Sequence, residues 1–185
     1  MKIDPVQIWR YLKLYGRKPD PALASRIDAM CAESDAVLRP ARTWLRLDDL
    51  SRLDFRGSRD LAKHLAGSHA AYLVCATVGA AFDALQRRTA AKSASDAFIL
   101  QAIGAAAIEA LMDSVEDEIR CELKPGESLA QRYSPGYGDY PLEAQRDLFG
   151  LLDAPRKVGV SLTDSLLMVP SKSVSAIIGV VMDGN

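Results

Sequence analysis

The chain has 185 residues, is 49% hydrophobic and carries a formal net charge of −1. That length suits one domain with a sizeable core. The near-neutral charge lacks the basic footprint of a nucleic-acid binder, and no apolar run approaches the roughly 18 residues that span a bilayer, so neither nucleic acid nor membrane is expected as a partner. The start, MKIDPVQIWRYL, has charge and proline where a secretory signal would be apolar, and a cytoplasmic location is expected. Cys31, Cys75 and Cys121 are scattered without a CxxC and read as reduced thiols. His64 and His69 are the only histidines. Five residues apart, they do not share a helix face, and no metal site is expected.

In chain order, residues 5–15 read as a short helix or turn with Trp9, Leu12 and Tyr15 on one side. A helix is expected over 21–39, with Pro21 at its start and Leu23, Ile27, Met30 and Val37 as its inner stripe. WLRLDDL alternates around Trp44 to Leu47 as a short strand, and Leu61 to Leu65 forms a short helix. AAYLVCATVG, 70–79, reads as a central strand ended by Gly79. AAFDALQRR is helical, and TAAKSASD is a linker whose Ser95 or Asp96 caps the longest helix, about 97–121, which Pro125-Gly126 follows. Pro141 opens another helix, LEAQRDLFGLLD. VGVSLT (158–163) and SAIIGVVM (175–182) read as strands around a bend at Pro170. Without a βαβ rhythm, the fold class is α+β, a twisted antiparallel or mixed sheet packed with helices.

The segment RYSPGYGDYP, 132–141, is neither helix nor ordinary strand. Pro135 fixes its own backbone and biases Ser134 to an extended conformation. Gly136 and Gly138 permit positive φ and close approach of a ligand, and backbone N–H groups in such a bend are expected to be free for one. Arg132 offers a planar fork for a carboxylate or phosphate. Tyr133, Tyr137 and Tyr140 offer flat faces with polar tips. The segment reads either as a small-ligand site or as a structural turn, its tyrosines on the core and Arg132 in a surface ion pair.

In the long helix, Ala102, Gly104, Ala105, Ala106 and Ala107 precede Glu109. Ala102, Ala105 and Ala106 lie on the same side as Glu109, so the carboxylate looks along a face with little bulk. That face serves either close packing or a ligand ammonium. Glu116, Asp117 and Glu118 read as a solvated helix end.

Three segments in this order, AIGAAAIEALMDSVEDEIR, RYSPGYGDYPLEAQRDLFGLLD and VGVSLTDSLLMVPSKSVSAIIG, resemble the activation domain of cobalamin-dependent methionine synthase, which binds S-adenosylmethionine, and more closely its stand-alone relatives. The second segment carries the family's Arg-x-x-Pro-Gly-Tyr signature. The resemblance covers about 60–180. The first 60 residues are only loosely similar and are expected to form a helical extension packed on a 61–185 S-adenosylmethionine-binding domain.

The resemblance implies that the domain holds S-adenosylmethionine over a corrinoid stranded as cob(II)alamin. An external donor supplies an electron and the sulfonium methyl passes to cob(I)alamin. This chain has no cysteine cluster and no flavin or haem signature for the electron, so a low-potential donor of flavodoxin or ferredoxin type is implied. It has no Asp-x-His-x-x-Gly cobalamin motif, so cobalamin is implied only through a partner, a corrinoid-binding methionine synthase or related corrinoid methyltransferase. Arg132 would pair the methionine carboxylate and Glu109 the ammonium. Ser134, Pro135, Gly136 and Gly138 would contact the adenosine, and Tyr137 would face the corrinoid as the catalytic-site residue. Glu127 lies near the place of a second family acid, one residue out of step. Asp139 and Tyr140 stand where the full enzyme has small residues. The full enzyme's domain continues with an aromatic segment over the adenine, implying a more open pocket here.

The expected function is therefore a stand-alone module that binds S-adenosylmethionine and supports reductive methylation of cobalamin on a partner. One alternative is a docking module with a vestigial pocket. Another is an unrelated small-molecule methyltransferase, against which the absence of a GxGxG strand-to-helix turn speaks.

Overall fold

The computed structural model describes residues 3–182. Its centre is a four-stranded antiparallel sheet of order β1-β2-β6-β3, formed by Ala41–Leu47, Ala70–Thr77, Ser173–Met182 and Glu127–Tyr133. The fold is α+β, as expected from the sequence.

All eight residues of β2 are buried. The cause is a helical layer on each face. Ala70, Tyr72, Val74 and Ala76 join one core with α1 (Pro5–Tyr11), α2 (Pro21–Val37), α4 (Ala80–Ala90) and α5 (Ala94–Arg120). Ala71, Leu73 and Cys75 join a second core with α3 (Arg59–His64), α6 (Gln145–Leu152) and α7 (Ala154–Val158). Successive side chains point to opposite faces, so a strand covered twice must be apolar throughout. Each large side chain so buried contributes about 1.5–3 kcal/mol. β6 alternates likewise: Ala176, Ile178 and Val180 belong to the first core and Ile177 to the second.

α5 crosses the first face. It is long and apolar enough by composition to span a bilayer, contrary to the reading of the sequence, but 61% of its most apolar 18-residue window is buried inside the domain. Gly104 lets it approach α4: a Cβ there would lie 2.5 Å from Phe82 Cε1. The small-residue face before Glu109 is therefore largely packed, with Ala102 and Ala106 buried and Ala105 half-buried.

The residues before 60 supply α1, α2 and β1, and β1 pairs with β2 from Ala41–Thr77 to Leu47–Ala71. Several expectations are corrected. Ser93, rather than Ser95 or Asp96, caps α5 by accepting the Asp96 N–H. β3 is a strand the sequence did not announce. The strand expected over 158–163 shrinks to β4 (Ser161–Leu162), paired with β5 (Met168–Val169), because α7 occupies Ala154–Val158.

Candidate functional site

β3 pairs with β6 only as far as Tyr133–Ile177. Beyond it the chain turns away at Ser134-Pro135, and β6 from Ser173 to Ala176 has no β3 partner. A cleft of about 490 Å³ opens at this notch, a size suited to a small molecule. Glu109, Arg132, Tyr133, Ser134, Pro135 and Tyr137 line it, with Leu142, Gln145, Met168, Ser173, Val174 and Ser175.

The cleft wraps round the sheet edge. Arg132 lies opposite Ile178 and shares its face, beneath α5, whereas Tyr133 lies opposite Ile177 on the other. Ser173 and Ser175 fall on the Ile177 face by alternation, beside Gln145 of α6, whose Nε2 donates to Ser175 Oγ at 3.4 Å.

Arg132 Nη2 lies 3.2 Å from Glu109 and 3.1 Å from Asp113, and its Nε 3.0 Å from Glu116. These acids are spaced i, i+4 and i+7 along α5, which puts them on one helix face. Glu116 is thus half-buried and engaged, correcting its reading as part of a solvated end. Glu109 and Arg132 also line a second cleft, of about 510 Å³, under α1 with Asp4, Arg10 and Tyr11. The Tyr11 hydroxyl is pushed above its ordinary pKa by burial first and by the Glu109 charge second.

Both readings of the 132–141 segment find support. Tyr140 is a buried core residue whose hydroxyl donates to Asp54 O at 3.3 Å, and burial pushes its pKa up to about 12. Arg132 is in an ion-pair cluster. Yet Ser134, Pro135 and Tyr137 line the cleft, and Tyr137 is 64% exposed. Gly136 does not line it, and Gly138 lines a neighbouring hollow with Asp60, Lys63, His64, Tyr133 and Tyr137.

Four of the loop's N–H groups, those of Gly136, Tyr137, Asp139 and Tyr140, are not free as expected. Gly136 donates to Tyr140 O at 2.8 Å, Tyr137 to Ser134 O at 3.2 Å and Tyr140 to Tyr137 O at 3.0 Å. Asp139 N–H donates to Asp60 at 3.1 Å, while the Asp139 carboxylate accepts from the Ser58 hydroxyl and from the Arg59 and Asp60 N–H groups. Asp139 thus latches the loop to the start of α3. The Ser58 hydrogen bond, then the Arg59 N–H, hold its carboxyl below the ordinary range. Tyr133 adds to the latch: its hydroxyl donates to Tyr137 O at 3.0 Å and its ring lies 4.7 Å from that of His64. His64 Nε2 donates to Gln131 O at 2.7 Å, since a carbonyl only accepts.

Glu127 is apart from the cleft. Its side chain is 3% exposed and takes both prongs of Arg46, at 2.7 and 2.9 Å, with His69 at 2.9 Å. Those bonds, the Arg46 pair foremost, hold its carboxyl well below the usual range. It ties β3 to β1 and to His69 just before β2 rather than standing as a second acid of the site.

Gln145, Ser173 and Ser175 were missed from the sequence. The signal was there in part: Gln145 sits at the i position of the i, i+3, i+4, i+7 stripe completed by Leu148, Phe149 and Leu152, and a lone amide on an apolar stripe is uncommon.

A sheet covered on both faces, with a charged and aromatic notch at its edge, defines an α+β domain with a cleft of small-molecule size. Residues 59–183 match the family of the vitamin B12 dependent methionine synthase activation domain, and the chain belongs to that family. Among solved structures the fold is similar to the crystal structure of the MetH reactivation domain bound to AdoHcy, with a TM-score of 0.63 at 15% identity over 97% of this chain and 73% of that one. At that identity the likeness is one of fold. No curated protein matches the chain.

Proposed function

We propose that this domain binds S-adenosylmethionine in the notch cleft and supports reductive methylation of a corrinoid held by a partner protein. The observation that carries the reading is the pairing of Arg132 with Glu109 at one end of a cleft whose rim is Pro135 and Tyr137. A guanidinium beside a carboxylate is complementary to the amino-acid zwitterion of the ligand. Family membership and the AdoHcy of the similar fold support the same reading.

In this reading Arg132 takes the ligand carboxylate and Glu109 its ammonium. Ser134 and Pro135 lie along the adenosine. Gly136 and Gly138 give the loop the turn that brings them there, at φ of 91° and 53°. Tyr137, exposed on the rim, meets the corrinoid face and helps to exclude water from it. When bound, S-adenosylmethionine would supply a sulfonium methyl to the partner's corrinoid, reduced by one electron from a separate low-potential protein of flavodoxin or ferredoxin type, and S-adenosylhomocysteine would be left. The corrinoid is held outside these 185 residues, which carry no Asp-x-His-x-x-Gly motif.

The test is reactivation. A corrinoid methionine synthase without a working activation domain, oxidised to its inactive state, is mixed with reductant, S-adenosylmethionine and this domain. Recovery of methionine synthesis is expected only when both domain and ligand are present, and Tyr137→Ala is expected to slow it. Recovery without S-adenosylmethionine, or full recovery with Arg132→Ala, would favour the docking module instead.

A further inference from the structure

Gln145 is 3% exposed and lines the notch cleft. Its Nε2 makes one long hydrogen bond, 3.4 Å to Ser175 Oγ, and its Oε1 has no partner among the described residues. Buried side-chain polar atoms are rarely left so, because losing water without a replacement is unfavourable. The acceptor Oε1, not the donor Nε2, is the head left to be satisfied, at the wall of the cleft that Gln145 lines.

The position is specific. Gln145 and Ser175 lie on the Ile177 face of the sheet, whereas Arg132 and Glu109 lie on the α5 face. Ser175 is three residues along β6 from Ile178, the partner of Arg132, about 10 Å at the rise of a strand. The amide thus lines the same cleft as the charge pair but across the sheet edge from it and further along β6, leaving room between them for an extended ligand.

Resting on the S-adenosylmethionine reading above, we infer that Gln145 and Ser175 form the adenine-reading end of the cleft and set its preference for a 6-amino over a 6-oxo purine. Gln145 Oε1 is an acceptor and matches the exocyclic amine. The Ser175 hydroxyl keeps its proton free when its oxygen accepts from Nε2, and it donates to a neighbouring ring nitrogen. An adenine edge offers that donor and acceptor side by side, and a Gln side chain is a common partner for it. A hypoxanthine edge puts a carbonyl where the amine was, so two acceptors would face each other. A site built to hydrogen-bond one group discriminates strongly against the analogue that lacks it.

The test is calorimetric titration of S-adenosylhomocysteine and S-inosylhomocysteine into the wild-type protein, Gln145→Met and Ser175→Ala, with thermal melting to check that the variants fold. The wild type is expected to prefer the adenosyl ligand by at least about tenfold. Gln145→Met is expected to lose most of that preference by weakening adenosyl binding alone, and Ser175→Ala to lose part of it. Equal wild-type affinities, a preference for the inosyl ligand, or a preference that survives in folded Gln145→Met would each overturn the inference while leaving the reading of the cleft intact. Failure of the wild type to bind either ligand would overturn both.

Discussion

Arg132 of β3 and Glu109 of α5 hold each other at 3.2 Å on the wall shared by two clefts. The pair is not isolated, because Asp113 and Glu116 crowd the same guanidinium. Three carboxylates around one cation leave the site with excess negative charge, which opposes the ligand carboxylate that Arg132 would take. Asp113 is exposed, so its influence is screened and modest, below about 1 kcal/mol. Asp113→Asn is therefore expected to tighten S-adenosylmethionine binding by roughly two- to fivefold, measured by titration at low salt. Weaker binding would mean that Asp113 itself holds the ligand.

Glu127 is a brace, and its substitution should separate fold from site. In Glu127→Gln, Arg46 loses the charge that both its prongs grip. The melting temperature is expected to fall by several degrees while ligand affinity stays within about twofold. An affinity lost without a change in melting would return Glu127 to the site.

The Asp139 latch carries a pH dependence. Its folded pKa is depressed, by the Ser58 hydroxyl first, so its contribution is present above the unfolded value of about 3.9 and is lost as pH falls through the lower folded value. The Arg59 and Asp60 amide resonances are expected to move only below about pH 4, as the loop leaves α3. The carboxylate of Asp60 faces the same latch, and Asp139→Asn separates the two. A transition unchanged in that variant would show that the Asp139 carboxylate does not carry it.

Gly104 marks where helix packing outweighs helix propensity. Replacing an interior glycine returns at most about 1 kcal/mol, but a side chain there meets the buried Phe82 ring at 2.5 Å. Gly104→Val is expected to lose about 1–3 kcal/mol by overpacking, measured in urea. A stabilised variant would mean that α4 can move aside.

The elements that were legible are those with a dense apolar signal. β2 has no polar interruption from Ala70 to Ala76, α5 has a long inner stripe, and β6 holds another apolar run from Ala176 to Met182. β3 was illegible because none of its seven residues is fully buried and its ladder shifts register between Leu129 and Arg132. α7 hid behind Asp153, which takes the left-handed conformation at φ 53° before a helix of only five residues. In the site, Arg132, Glu109 and Tyr137 stood out as charge and aromatic groups in a signature. Glu116 was masked by two neighbouring acids. Gln145 and Ser175 were invisible because they meet only through the pairing of β6 with the sheet and the packing of α6 upon it.

The most direct measurement of the central claim is titration of S-adenosylmethionine into the wild-type protein and into Arg132→Ala. The account predicts saturable binding that weakens more than about tenfold in the variant, a loss of about 1.4 kcal/mol or more, as expected for removal of a charge-assisted pair. Equal binding by the two proteins, or none by the wild type at millimolar ligand with a corrinoid partner present, would contradict it.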